Sequence, residues 1–197
     1  NCGVFFKNLK DKMNDFSLLI GGKAGFGIDK SGTVIGQILN QLRLRIYIYR
    51  DYPSLIRGGH SFSIIRASKE KITAYTEKID FLLALNQDTF NLHKHRLLDH
   101  ALIIYDSDCV KIEGLNTAVL AIGVAIGKII KEENASEIMR NSCIIGSFVK
   151  ASGIKYEILE GVFRKEFSKE ADLNLQIARR GYDQVKELLK LQSLPLE

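Results

Sequence analysis

The spacing of apolar residues changes character along the chain, from short strand-like runs in the first half to helical periods in the second. Phe16-Ser17-Leu18-Leu19-Ile20 predicts a strand that stops at Gly21-Gly22. After Gly27 the apolar positions Ile28, Val34, Ile35, Ile38, Leu39 and Leu42 fall at helical spacing. Leu44 to Tyr49 alternates Arg with Leu, Ile and Tyr, as a strand with one buried face does. Arg50 to His60, with Pro53 and Gly58-Gly59, reads as a long loop, and Phe62 to Ala67 returns to strand. Lys69-Glu70 is a turn leading into Lys71 to Tyr75, and Asp80 to Asn86 is almost continuously apolar, so it belongs at the centre of a sheet covered on both faces. A short helix over Gln87 to Leu98, a buried strand over Ala101 to Tyr105 and an edge strand over Cys109 to Ile112 complete this half.

From Thr117 onward the period is helical. Asn116 caps a helix from Thr117 to Glu133, Ala135 or Ser136 opens another through Ser152, and two more cover Lys155 to Phe167 and Ala171 to Leu191. The small residues Ala118, Ala121, Gly123, Ala125 and Gly127 suit a closely packed core helix in the first of these. Alternating strands and helices predict an α/β fold: three layers, α/β/α, around a mainly parallel, Rossmann-like sheet with a helical C-terminal third. The domain is expected over residues 13–191, with 192–197 a linker toward a further domain. The chain opens Asn1-Cys2-Gly3, so residues 1–12 read as a non-native or disordered extension ahead of a natural start at Met13.

Composition narrows the class. With 197 residues and 46% hydrophobic content the chain can bury a sizeable core. Its net charge of +5 is scattered and interleaved with acids, as in Lys165-Glu166, without a basic stripe carrying stacking aromatics, so no nucleic-acid partner is expected. The three cysteines, Cys2, Cys109 and Cys143, form no C-x-x-C pair, which predicts no metal or cluster in this module and Cys143 as a small buried residue. The longest apolar run, Ala118 to Ile130, is broken by Gly123 and Gly127, so no membrane association and a cytoplasmic location are expected.

Two glycine-rich segments are candidates for chemistry. In Gly21-Gly22-Lys23-Ala24-Gly25-Phe26-Gly27 the candidate residues are Gly22, Lys23, Gly25 and Gly27. Glycines there let backbone N–H groups approach an anion at the start of a helix, whose partial positive charge favours phosphate. The alternative is a tight turn that packs helix on strand. It is not a Walker A loop, because Ile28-Asp29 stands where Lys-Ser/Thr is needed. A Rossmann reading takes Asp51, at the end of the second strand, as the ribose-binding acid, although Gly-x-x-Gly-x-Gly is not the Gly-x-Gly-x-x-Gly fingerprint. The second segment is Tyr52-Pro53-Ser54-Leu55-Ile56-Arg57-Gly58-Gly59-His60, with candidates Tyr52, Arg57, Gly58, Gly59 and His60.

Together the two segments, at this separation, strongly resemble the gamma domain of 2-oxoacid:ferredoxin oxidoreductases, in the form fused ahead of the alpha domain. Asp80 to Asn86, Asn116 before an Ala/Gly-rich stretch, and Gly181-Tyr182 extend the likeness over about Asp15 to Leu189. The resemblance implies a complex that converts a 2-oxoacid and CoA to acyl-CoA, CO2 and reduced ferredoxin. This module would be structural and in contact with CoA, and inactive as an isolated chain. Thiamine diphosphate, magnesium and iron–sulfur clusters would lie in partner modules, the partners being alpha, beta and ferredoxin-like subunits, with ferredoxin as acceptor and self-association an option in isolation. An NAD(P)-binding dehydrogenase domain is the alternative, and a binding module without chemistry a third reading.

Arg57 offers a planar fork for carboxylate or phosphate, Gly58-Gly59 permit close approach, and His60 can donate or accept a hydrogen bond. CoA phosphates are the first ligand expected and the 2-oxoacid carboxylate the second. Equally, Arg57 could pair with Asp51 and His60 cap the backbone, making the loop rigid. No catalytic residue is expected in this module. His93, His95 and His100 read as solvated surface residues, Lys23 as a phosphate contact or a solvent-facing side chain, and Asp106-Ser107-Asp108 as a turn and helix cap.

Overall fold

The computed structural model describes residues 14–51, 59–115, 118–186 and 188. The expected domain start at Met13, the extension before it and the linker at 192–197 lie outside these residues. Along the chain run β1 (Asp15–Lys23), α1 (Ile28–Gln41), β2 (Arg45–Asp51), β3 (His60–Ser68), β4 (Ile79–Ala84) and α2 (Gln87–His93), then β5 (Leu97–Asp106) and β6 (Leu120–Val124). Four helices follow: α3 (Ile126–Glu132), α4 (Arg140–Ala151), α5 (Tyr156–Phe167) and α6 (Ala171–Asp183).

The strands form one six-stranded sheet in the order β2-β3-β1-β4-β5-β6. β1 pairs in parallel with β4, β4 with β5, and β5 with β6, whereas β3 runs antiparallel to both β1 and β2. Five strands therefore share one direction and β3 alone opposes them. β4 is buried at every position, Ile79 to Ala84, as its unbroken apolar run predicts for a strand covered on both faces.

The two faces are covered unequally. One carries α1 and α3 to α6, packed on Leu18, Ile20, Ile65, Phe81, Leu83, Leu102 and Ile104. The opposite layer is thin: Leu19, Phe62, Ile64, Leu82 and Ile103 lie under the short helix α2, through Phe90, and under Val110 and its neighbouring segment. α1 lies close against β2 and β3, since a Cβ on Gly36 would sit 3.0 Å from Ile48 Cδ1 and one on Gly32 2.9 Å from Ser63 Cβ.

Several boundaries differ from the sequence reading, among them the short helix α2, which ends at His93 rather than Leu98, and β5, which begins at Leu97 rather than Ala101. Leu120–Val124 is the edge strand β6, not part of a helix, so the helix expected from Thr117 begins only at Ile126. Its exposure alternates, with Leu120, Ile122 and Val124 on the inner side and Ala121 and Gly123 outside. Small residues on the outward face disguised this period of two as a run for close helix packing. Cys109–Ile112, expected as an edge strand, forms none: its first residues close a turn in which the Val110 N–H reaches Asp106 O at 2.9 Å. The last helix ends at Asp183 rather than Leu191.

α4 and α6 cross at the tightest contact in the helical layer. A Cβ on Gly146 would fall onto the Ala178 carbonyl, and one on Gly181 onto the Cys143 carbonyl. Ser147 Oγ bonds the Gly181 carbonyl at 3.0 Å across the same junction. Gly161, on an exposed position of α5, has open space around it. Gly146→Ala should therefore lose about 1–3 kcal/mol by overpacking. Gly161→Ala should gain about 0.5–1 kcal/mol from helix propensity. Urea unfolding midpoints of the two variants check the opposite signs.

Candidate functional site

Gly21 and Gly22, read as a turn from the sequence, are strand residues that pair with Phe62 and Ser61 of β3. Both are crowded. A Cβ on Gly21 would meet Thr89 Cγ2 at 2.7 Å and His60 Cε1 at 2.9 Å, and one on Gly22 would meet Ile28 Cδ1 at 3.0 Å. The turn itself is Lys23-Ala24-Gly25-Phe26, closed by the Phe26 N–H on the Lys23 carbonyl at 3.0 Å, with Gly25 at φ 90°. A positive φ at the third position of such a turn is the conformation glycine supplies.

Gly27, at φ 71° and ψ 29°, then caps α1 from the left-handed region, and no side chain accepts from the first turn of that helix. The acid of that turn, Asp29, is ion-paired with Arg50 at the end of β2. The first-turn N–H groups thus keep their pull on an anion at the carboxyl edge of the sheet. Asn141 of α4 donates its Nδ2 to the Phe26 carbonyl, tying the turn to the helical layer.

The second glycine segment meets the first. Gly59 accepts the Ala24 N–H at 2.8 Å, and His60 pairs with Lys23 in the β1–β3 ladder. The structure therefore brings Gly22, Lys23, Gly25, Gly27, Gly59 and His60 to one edge. Tyr52, Arg57 and Gly58 lie outside the described residues.

His60 faces inward. Its Nε2 lies 2.8 Å from Nε2 of His93 on α2, and the rings also contact Phe62, at centroid distances of 5.7 Å for His60 and 4.5 Å for His93. One Nε2 donates and the other accepts, so the pair holds both rings in complementary tautomers. The Nδ1 atoms of both are buried without a hydrogen-bond partner. Burial holds His60 below the ordinary histidine value of 6.5, opposed by Asp88, Asp51 and the nearby Gly22 backbone, whose approach falls short of a well-formed hydrogen bond. Burial, reinforced by His60, Arg96 and His95, pushes His93 down to about 3.

His93 is thus a core residue, 4% exposed, rather than the solvated histidine the sequence suggested. α2 ends at His93, which turns in toward β3, while His95 in the following 3-10 turn is exposed. His100 is half-buried, 3.4 Å from Asp80 Oδ1. The cue available in advance was position: His93 is at i+4 from Thr89 and i+3 from Phe90, so it shares their inward face.

The remaining candidates have structural partners. Asp106 is fully buried and ion-paired with Arg140, and its Oδ1 accepts the Asp108 N–H at 3.1 Å. Asp108 Oδ2 accepts the Lys128 N–H at 2.7 Å, in the first turn of α3, as the turn-and-cap reading expects. Cys143 is buried, and burial raises its thiol to about 12. Among the described residues no three His, Cys, Asp or Glu side chains gather where one metal ion could be held, and no helix is long and apolar enough to cross a membrane. Asp51 ends β2, but β3 separates β2 from β1, so the acid does not sit on the strand beside the glycine turn as the Rossmann arrangement requires.

Fold and edge together define an α/β domain that offers backbone amides and a lysine where two glycine segments meet at the carboxyl end of a central strand. The chain belongs to the pyruvate ferredoxin/flavodoxin oxidoreductase family, whose profile matches residues 17–184. It is 33% identical over 90 residues to the alpha subunit of a 2-oxoacid:ferredoxin oxidoreductase of Sulfolobus sp., covering 46% of this chain and 14% of that one. It is 23% identical over 177 residues to the 2-oxoglutarate synthase subunit KorC of Archaeoglobus fulgidus, covering 89% of this chain and 91% of that subunit. The chain thus spans about a seventh of the Sulfolobus alpha subunit but nine-tenths of KorC.

Solved structures share the fold. The 2-oxoglutarate:ferredoxin oxidoreductase from Magnetococcus marinus, with 2-oxoglutarate, coenzyme A and succinyl-CoA bound, superposes with a TM-score of 0.81 at 21% identity, covering 92% of this chain and 34% of that one. The gamma subunit of a keto/oxoacid ferredoxin oxidoreductase from Geobacter sulfurreducens gives 0.73 at 20% identity, covering 86% and 97%.

The His60–His93 pair generates a pH dependence. Well above pH 6.5 an unfolded histidine is largely neutral, and burial disfavours the charged form of both rings in the folded chain. Below that value the unfolded chain takes up a proton that folded His93 refuses until about pH 3. Stability should then fall with decreasing pH across this window, with a slope from His93 approaching about 1.4 kcal/mol per pH unit. Urea midpoints of the wild type and His93→Gln between neutral and acidic pH check this: the variant's slope should be shallower.

Proposed function

We propose that this chain is the gamma module of a thiamine-diphosphate-dependent 2-oxoacid:ferredoxin oxidoreductase, a complex that converts a 2-oxoacid and CoA to acyl-CoA, CO2 and reduced ferredoxin. The module is structural and contacts CoA. Family membership supports the first part, as does the near-complete overlap with KorC and with the Geobacter gamma subunit. The overlap with only part of longer alpha subunits agrees with a module that occurs both alone and fused. In this reading thiamine diphosphate and magnesium lie between alpha and beta partners, the iron–sulfur clusters lie in further modules, and ferredoxin takes the electrons in the cytoplasm. The bound coenzyme A of the Magnetococcus enzyme makes CoA the first ligand to test.

One observation carries the CoA contact: the Ala24 N–H to Gly59 carbonyl bond, which joins the two glycine segments beside the helix start at Gly27. The Gly25 and Gly27 N–H groups, the helix start and Lys23 fit a phosphate group there. Arg57, Tyr52 and Gly58 of the adjoining segment would add donors and room for close approach. His60 serves the same edge indirectly, since its Nε2 is engaged by His93 and its Nδ1 is buried. The NAD(P) alternative loses its ribose acid through the interposed β3.

The test uses the chain assembled with its alpha and beta partners. Removing one charge-assisted contact costs about 1.5–3 kcal/mol, so Lys23→Ala and Arg57→Ala should each raise the KM for CoA by roughly tenfold or more, leaving the KM for the 2-oxoacid unchanged. Unaltered CoA dependence in both variants would refute the contact.

A further inference from the structure

β2 ends the sheet, paired with β3 on one side and with no described strand on the other. Edge strands of soluble proteins are ordinarily blunted by proline, a bulge or inward charge, because their unpaired N–H and C=O groups invite another strand. β2, Arg-Ile-Tyr-Ile-Tyr-Arg-Asp, contains no proline and keeps an unbroken register with β3 from Arg45↔Ser68 to Asp51↔Phe62. Its residues are mostly β-branched or aromatic, the types that favour pleated pairing.

The charges on this strand are arranged in a particular way. The side chains of Ile46, Ile48 and Arg50 face α1: the isoleucines lie over Gly36, and Arg50 pairs with Asp29 and bonds Thr33 Oγ1 at 3.1 Å. Arg45, Tyr47, Tyr49 and Asp51 share the opposite face, where Tyr49 stacks on Tyr75 at 4.5 Å. Arg50 is thus neutralised within its own chain. The two remaining charges of the strand, Arg45 and Asp51, form no salt bridge among the described residues, and Asp51 acts on His60 only through a longer-range attraction. They have opposite signs and stand at its two ends.

We infer that β2 is a self-association edge, on which a second copy of this chain adds its own β2 in antiparallel orientation across a two-fold axis at Ile48. That register pairs all seven residues. Arg45 then stands opposite Asp51 of the second copy, Tyr47 opposite its Tyr49, and Ile48 opposite its counterpart, with Arg45–Asp51 and Tyr47–Tyr49 each occurring twice. Directly opposed residues of an antiparallel pair lie on the same face and interact, opposite charges and aromatic pairs favourably and like charges unfavourably. A two-fold axis demands this kind of self-complementary surface. The ends of β2 that would repel a random strand therefore select a copy of itself.

Sedimentation velocity of the full chain over a wide concentration series tests the inference, with circular dichroism confirming that each variant is folded. The wild type should dimerise reversibly. Arg45→Glu sets Glu against Asp51, and Asp51→Lys sets Lys against Arg45, twice in each dimer, so each change should weaken association about tenfold or more. The double variant R45E/D51K restores opposite pairs and should recover most of the wild-type affinity. A wild type that stays monomeric throughout, including the case where a different protein covers this edge, overturns the inference. So do single variants that associate as well as the wild type, or a double variant no better than the singles.

Discussion

The antiparallel pairing of β3 with β1 is the constraint on which the candidate site depends. The ladder runs from Asp15↔Ser68 to Lys23↔His60 and is prolonged by the Ala24–Gly59 bond. Because β3 is reversed, its start lies beside the end of β1, and both glycine segments must emerge at the same edge. Had β3 run parallel to β1 in the same place, its start would lie at the other end of the strand, about 25–30 Å away at roughly 3.4 Å per residue. Two segments separated in sequence would then have had no common site.

The same pairing explains why this end of the sheet excludes side chains. Gly21 and Gly22 are bare because His60 and Thr89 press on one face and Ile28 on the other. His93 fills the space beneath His60 and spends its Nε2 on that neighbour, and burial disfavours the charged form of both imidazoles. The sheet is anchored on the other face by five helices, and there the Gly146 and Gly181 crossing sets how closely the helical layer can settle. One face supplies bulk stability, while the thin face and the carboxyl edge hold the groups that are costly to bury.

Much of this architecture was legible in the sequence, and for physical reasons. The apolar run of β4 can only be a strand covered on both faces, and the spacing from Ile28 to Leu39 marks a helix with one buried stripe. The two glycine segments were identifiable as partners through their resemblance to a known family. Periodicity failed where side chains were too small or too local to report the environment. β6 hid its alternation behind Ala121 and Gly123, and β1 continued through Gly21-Gly22 because tertiary crowding, not turn chemistry, required glycine. The reversal of β3 leaves no trace in local sequence, yet it removes the Rossmann geometry around Asp51. His93 was misjudged because its burial depends on a contact with His60, 33 residues away.

Amide hydrogen exchange of the chain in its assembled complex, with and without CoA, tests the central account most directly. If the joined glycine segments form one anion-binding edge, CoA should slow exchange over Lys23–Ile28 and over Gly59–Phe62 together, leaving the far ends of β1 and β3 unchanged. Protection of neither segment, or of one without the other, would contradict the account.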